Sequence, residues 1–294
     1  MAGEFDFIEW IRTQQAASPL VPLPSGDDLA VVNWPADLLL VGVDQVLDGV
    51  HFDSTRHSAR EIGRKAMNRN LSDCAAMACL PVAAVATVAL PRGRNIDYAR
   101  QMYHGLRDAA DPFNCPIIGG DTGSWDGPLA VTVTILGRAD GITPVRRSGA
   151  KPGDSIHVSG PLGGSILGRH MSFTPRIEWA RLLARELSIT SMIDLSDGLS
   201  RDLAQIARAS GVGAVIKAAA IPVHQDAIEL RRDGISPLDH ALHDGEDYEL
   251  LFTLADPGAG MFPIGQVTEE PGMWLEQPDG TRVPLEPRGW EHTL

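Results

Sequence analysis

Sulfur is scarce in this chain. Three cysteines, Cys74, Cys79 and Cys115, are spread over 294 residues, and none stands in a CxxC pair. An odd, scattered count argues against a disulfide framework and against a cysteine zinc site. Positive charge is also in deficit: 25 Lys and Arg face 38 Asp and Glu, a net charge of −13. That sign argues against a nucleic-acid binder held by phosphate contacts, and against a protein held on an anionic membrane surface. The longest apolar run, PVAAVATVAL at 81–90, is far too short to span a bilayer. The opening MAGEFDFIEW is acidic and lacks the basic-then-apolar pattern of a secretory signal, so a cytoplasmic location is expected. No His cluster suggests a transition metal, and His51 stands alone in GVHF. There is no GxxxxGK[ST] loop, no GxGxxG and no HRD/DFG set, which disfavours the common nucleotide folds.

What is present is ordinary in bulk. Hydrophobic residues make up 44% and charged residues 21% of the chain, enough for one large or two ordinary globular domains. Spacing predicts helices over 5–15, 58–79, 95–110, 175–187 and 196–210. Strands are expected at 29–33, 38–43, 81–90, 115–120, 128–137, 155–160, 213–219 and 248–254, with short β runs in 262–287. Strands and helices mix without strict βαβ alternation, so the expected class is α/β in the broad sense, α+β with mixed sheets. RRSGAKPGD, at 146–154, combines turn chemistry with basic residues and is the expected boundary between domains 1–145 and 146–294.

The acids are unevenly placed. Asp27 and Asp28 precede LAVV, Asp44 ends LLLVGV, Asp121 ends CPIIGG and Asp194 ends SMI. Aspartate favours turns and caps, so any one of these is unremarkable alone. Five in Gly, Ser or Thr contexts point to a site at the rim of a sheet. Ser72-Asp73 and Ser196-Asp197 repeat a Ser-Asp pair inside segments that look built for burial. Capping explains the second pair, with Ser196 as N-cap and Asp197 in the first helical turn. It does not explain Asp73, which lies late in a helical pattern where a negative charge opposes the helix dipole. Carboxylates without histidine suit hard cations, Mg²⁺ above all, which binds one or two carboxylates and completes its shell with water and phosphate. GGDT at 119–122 and SGPLGGS at 159–165 are Gly-rich turns that could aim backbone N–H groups at phosphate.

Seven motifs then occur in order: GDDLAVV (26–32), VDQVLDGVHF (43–52), NLSDCAAMA (70–78), GGDT (119–122), RSGAKPGD (147–154), IDLSDGLSRDL (193–203) and GEDYELLF (245–252). Together they closely resemble the thiamine-monophosphate kinase family, in the superfamily of aminoimidazole ribonucleotide synthetase and selenophosphate synthetase. The resemblance implies a two-domain α/β protein and a homodimer joined through a β-barrel-like interface of N-terminal domains, which also bind ATP and magnesium. It implies phosphorylation of thiamine monophosphate to thiamine diphosphate, with ATP as co-substrate and several Mg²⁺ ions. Asp28, Asp44, Asp73, Asp121, Asp194 and Asp197 resemble metal ligands, together with the backbone at Gly42 and Val43. Ser196, Gly120, Asp121 and Arg147 resemble ATP contacts, with Tyr103 a looser nucleotide candidate. Asp121, Arg147 and Asp197 resemble the catalytic set. His51, Glu246 and Trp290 resemble residues that hold thiamine phosphate.

The sequence departs from the family in places. SGPLGGSILGRHMSFTPRIEW is short where a further helix is usual, and the chain after GEDYELLF is compressed. Val43 stands where Thr is common, and HDGEDYEL replaces a more usual Gly-Gly-Glu-Asp. The phosphate nucleophile would already be anionic, so no general base is needed. Repulsion is the obstacle: two unit charges 4 Å apart interact by about 4 kcal/mol at an effective dielectric of 20. The other readings are a sister ATP-using enzyme of the superfamily and a catalytically silent dimer that binds a thiamine phosphate or nucleotide.

Overall fold

The structure, a computed structural model, describes residues 10, 11, 13, 14, 19–21, 32–34, 36–230, 234–256 and 262–291. The chain divides into two compact units, residues 1–74 with 79–141, and residues 75–78 with 142–294.

The first unit carries a four-stranded mixed sheet in the order β1-β4-β2-β3. Its strands are β1 (Leu39–Leu47), β2 (Leu80–Pro91), β3 (Ile117–Trp125) and β4 (Ala130–Arg138). β4 is antiparallel to both β1 and β2, while β2 and β3 run parallel. Burial alternates residue by residue along β4, with Val131, Val133 and Ile135 inside. A sheet covered on one face has this pattern. Helix α1 (Ala59–Ala76) buries Ile62, Ala66, Met67, Leu71 and Ala75 at helical spacing. Each large apolar side chain contributes about 1.5–3 kcal/mol by leaving water. Asn70 is buried on the same helix because its amide donates to Ala66 O at 3.1 Å.

Helix α2 (Ile96–Ala110) starts at Asn95, whose side chain accepts from Tyr98 N. It crosses α1 closely at two glycines: a Cβ on Gly63 would meet Met102 O at 2.2 Å, and one on Gly105 would meet Arg60 O at 2.0 Å. The described residues of the expected 5–15 helix, Trp10, Ile11, Thr13 and Gln14, are helical, and Trp10 meets Tyr103 and His104 edge-on. Of the expected 29–33 strand, 29–31 lie outside the described residues, and Val32 and Asn33 are not in a strand.

The second unit has a seven-stranded mixed sheet in the order β11-β10-β7-β9-β5-β8-β6. These strands are β5 (Ser155–Val158), β6 (Ile189–Asp194), β7 (Gly213–Lys217), β8 (Leu250–Leu254), β9 (Pro263–Thr268), β10 (Met273–Glu276) and β11 (Arg282–Pro284). Among the described residues of this sheet only β7 and β10 pair in parallel. Helices α3 (Ile177–Glu186) and α4 (Leu199–Ser210) follow the expected spans. Residues 75–78 group with this unit because Arg181 of α3 donates to Ala78 O at 2.9 Å and Val145 N donates to Met77 O at 3.2 Å.

Two helices went unread in the sequence, α5 (Gln225–Leu230) and α6 (Pro237–His243). The second has a local signal: Ser236 caps it by accepting from Asp239 N, and Pro237 opens its first turn. Among the described residues both sheets are open. Among the described residues no helix is long and apolar enough to cross a membrane.

Candidate active site

In the first unit the site residues lie on β1, α1 and β3. The alternation of β1 turns Gly42 and Asp44 inward and leaves Val41 and Val43 exposed. Asp73 sits in the last turn of α1, and a Cβ on Gly42 would stand 3.6 Å from its Oδ2. The Nε of Arg69, one turn earlier, is 3.6 Å from Asp44 Oδ2. Two residues along a strand advance about 6.6 Å and four along a helix about 6 Å. The helix and strand therefore run in step, with Asp73 over Gly42 and Arg69 over Asp44. The side chain of Val43 points away from this interface, so only its backbone can share the site.

Gly120 and Asp121 lie inside β3, exposed at the sheet edge, with Asp121 in register with Thr87 of β2. GGDT is therefore strand rather than turn, which corrects the reading of a phosphate-aimed loop. The glycine is needed for close strand approach: a Cβ on Gly120 would meet Ala86 O at 2.0 Å.

His51 is buried in the turn after β1, where its Nδ1 accepts from Leu47 N at 3.1 Å. In the neutral ring the proton is then on Nε2. The fully buried Lys65 donates to the His51 carbonyl. Tyr103 is buried against Trp10, and burial raises its phenol pKa. The ring has a packing role within this unit. Asp28 lies outside the described residues.

In the second unit two separate segments converge on residues 195–197, which include the Ser-Asp pair. Glu246 N donates to Ser196 O at 2.8 Å, Tyr248 N to Leu195 O at 2.9 Å and Trp290 N to Asp197 O at 3.0 Å. Glu246 and Tyr248 both hold left-handed φ, +52° and +51°, a strained state for residues with side chains. Gly289 at φ +134° lies so close that a Cβ would meet Asp197 O at 2.1 Å. Trp290 remains 47% exposed. Asp194 is buried at the end of β6. Arg147 is exposed, and its carbonyl accepts from Ser210 Oγ at the end of α4.

The expected cap differs. Gly198, not Ser196, is the N-cap of α4, with no side-chain cap bond. Asp202, in the first turn, instead accepts from the N–H groups of Asp197 and Gly198, each at 3.1 Å. Burial, then the negative charges of Asp197 and Asp194, push the Asp202 carboxyl up to about 8. The SGPLGGS turn also differs from expectation. Gly163 N donates to both oxygens of Asp247, at 3.0 and 2.9 Å, and Gly164 N donates to Asp244 Oδ2 at 2.9 Å. The N–H groups read as a phosphate cradle are thus occupied by internal carboxylates. Burial pushes Asp247 up to about 7, against the opposing pull of Arg169 and of Gly163 N–H.

Residues 26–139 match the family described as AIR synthase related protein, N-terminal domain. The thiamine-monophosphate kinase of Rhodopirellula baltica is 37% identical over 308 residues, covering 98% of this chain and 97% of that protein. This chain belongs to the thiamine-monophosphate kinase family. The solved thiamine-monophosphate kinase of Stenotrophomonas maltophilia is similar at TM-score 0.81 and 30% identity, covering 96% of this chain and 98% of that one. AaThiL complexed with AMPPCP and TMP is similar at TM-score 0.78 and 30% identity, covering 99% and 97% of the two chains.

For a member of the thiamine-monophosphate kinase family, the donor chemistry here fits a hard divalent cation. Carboxylate oxygens come without sulfur, and Gly42 leaves open beside Asp73 the space that a side chain would fill. Among the described residues no three His, Cys, Asp or Glu side chains gather closely enough to hold a metal by themselves. A cation here would draw the rest of its shell from water and phosphate. Sequence reasoning missed Arg69, Asp202 and Asp247. Arg69 had a readable signal, since it precedes Asp73 by four residues on one helical face. Asp247 had none, because its partners lie about 80 residues away.

Proposed function

We propose that this protein is a thiamine-monophosphate kinase, which transfers the γ-phosphoryl group of ATP to thiamine monophosphate and yields ADP and thiamine diphosphate. The observation that carries the reading is similarity over 99% of the chain to AaThiL complexed with AMPPCP and TMP. The convergence of Glu246 and Trp290 on Ser196-Asp197 supports it from this chain's own geometry.

Asp44, Asp73, Asp121, Asp194 and Asp197, with Asp28 and the Gly42-Val43 backbone, are the groups to hold Mg²⁺. Bound Mg²⁺ supplies charge neutralisation between the two phosphate substrates and holds attacking and leaving oxygens in line. The chain's residues do the rest. Gly120 brings exposed backbone at the edge of β3 to a phosphate, Ser196 offers a hydroxyl, and Arg147 offers a guanidinium from an exposed loop. Trp290 offers a flat aromatic face to the cationic thiamine ring, while Glu246 and His51 orient the thiamine phosphate. The attacking oxygen is an anionic phosphate oxygen, so no side chain has to remove a proton, and transfer is direct.

The reading includes a homodimer through the first unit and a cytoplasmic location. Leu39, Val41 and Val43 of β1 are exposed on one face, and Val85 of β2 shares that face across Thr134 of β4. An apolar sheet face of this kind suits a second copy. The testing assay is chromatographic, with purified protein, ATP, Mg²⁺ and thiamine monophosphate, and thiamine as a parallel substrate. Equal amounts of ADP and thiamine diphosphate, from the monophosphate only, are expected. Nucleotide binding without diphosphate formation would overturn the assignment.

A further inference from the structure

We propose that Arg69 is a resident counter-ion of Asp44, competing with the divalent cation for that carboxylate and setting the cation concentration at which the site fills. The inference rests on the reading of Asp44 as a metal ligand.

Arg69 and Asp73 lie one turn apart on α1, over Asp44 and Gly42 of β1. Two carboxylates therefore share one helix–strand interface in a chain of net charge −13. Without a cation they repel each other, and Asp73 in addition opposes the helix dipole. Arg69 answers this by placing a guanidinium beside Asp44, with side chains only 15% and 28% exposed. Such a pair is screened less than a surface pair. At 3.6 Å from Asp44, Arg69 Nε is too far for a good hydrogen bond, so charge rather than directed bonding holds this contact. A contact at that distance leaves the Asp44 oxygens open to a harder, doubly charged competitor. Arginine stays protonated at any working pH, so the competition does not depend on pH.

The test follows melting of the full-length protein at fixed AMPPCP during a Mg²⁺ titration, for wild type, Arg69→Met, Arg69→Lys and Asp44→Asn. Arg69→Met should melt lower than wild type in EDTA, because Asp44 has lost its partner. Its Mg²⁺-induced rise in melting temperature should reach its midpoint at about tenfold lower Mg²⁺. Arg69→Lys, which keeps the charge, should stay within about twofold of wild type. Should Arg69→Met fail to fold, Arg69→Gln carries the same expectation. Asp44→Asn should raise the midpoint. If Asp44→Asn raises it while Arg69→Met leaves it unchanged or also raises it, Arg69 is no competitor and the inference fails alone. If Asp44→Asn leaves the midpoint unmoved, the reading of Asp44 as a ligand fails, and the inference with it.

Discussion

The backbone N–H of Trp290 donates to the carbonyl of Asp197 at 3.0 Å, tying the exposed indole near the chain's end to the Ser-Asp turn before α4. Gly289 makes the approach possible, since a Cβ there would overlap the same carbonyl. Substituting Gly289→Ala should displace Trp290 without unfolding the unit. KM for thiamine monophosphate should rise by about tenfold or more, a loss on the scale of 1–3 kcal/mol for strain at a special backbone position. KM for ATP should change little. Steady-state kinetics with each substrate varied in turn checks this, and equal rises in both constants would argue against a thiamine-side role.

Asp73→Asn should give a folded protein with turnover reduced by at least about 100-fold at limiting Mg²⁺, since a neutral amide is a poorer ligand for a hard cation. Circular dichroism and an activity titration with Mg²⁺ are the measurements. Near wild-type turnover at limiting Mg²⁺ would remove Asp73 from the metal set.

Val43→Glu should produce a monomer. Val43 is 62% exposed on the outward face of β1, so a charge there costs the single chain little but opposes burial against a second copy. Light scattering coupled to size-exclusion chromatography reads the outcome. A wild-type protein that is already monomeric would overturn the proposed dimer, and a dimeric variant would move the interface away from this face.

Asp247 predicts a pH-dependent stability. Its carboxyl sits at about 7 in the folded protein against an ordinary 3.8, with burial the largest cause. The folded state therefore holds a proton that the unfolded chain has released. The contribution is fully present below about pH 4 and is lost as pH rises through about 7. Asp247→Asn removes this group's titration, so its urea midpoint should change less between pH 5 and pH 8 than that of the wild type. An identical pH response in both proteins would show that Asp247 titrates normally.

Much of the site's scaffolding was legible locally. Asp73 was placed late in a helix from spacing alone, because burial of Ile62, Ala66, Met67 and Leu71 follows the 3.6-residue period. Asp44 and Asp194 were read at the ends of apolar runs and do lie on strands. The Gly-rich segments were misread for a physical reason. Glycine permits close approach of any acceptor, and sequence cannot say which acceptor arrives. At Gly120 it is a neighbouring strand's carbonyl, and at Gly163 and Gly164 it is the carboxylates of Asp247 and Asp244.

The sequence by itself determined the periodic elements, the excess of acids over bases, the ordered motifs and through them the family. These depend on residues near one another along the chain or on their order. Only the tertiary structure decided that Arg69 stands over Asp44, that Asp202 braces the Ser-Asp turn, and that segments near 197, 246 and 290 meet. Asp202 lies only five residues from Asp197, but the contacts of Arg69, Glu246 and Trp290 close loops of tens of residues, and their partners are selected by packing geometry that no local pattern carries.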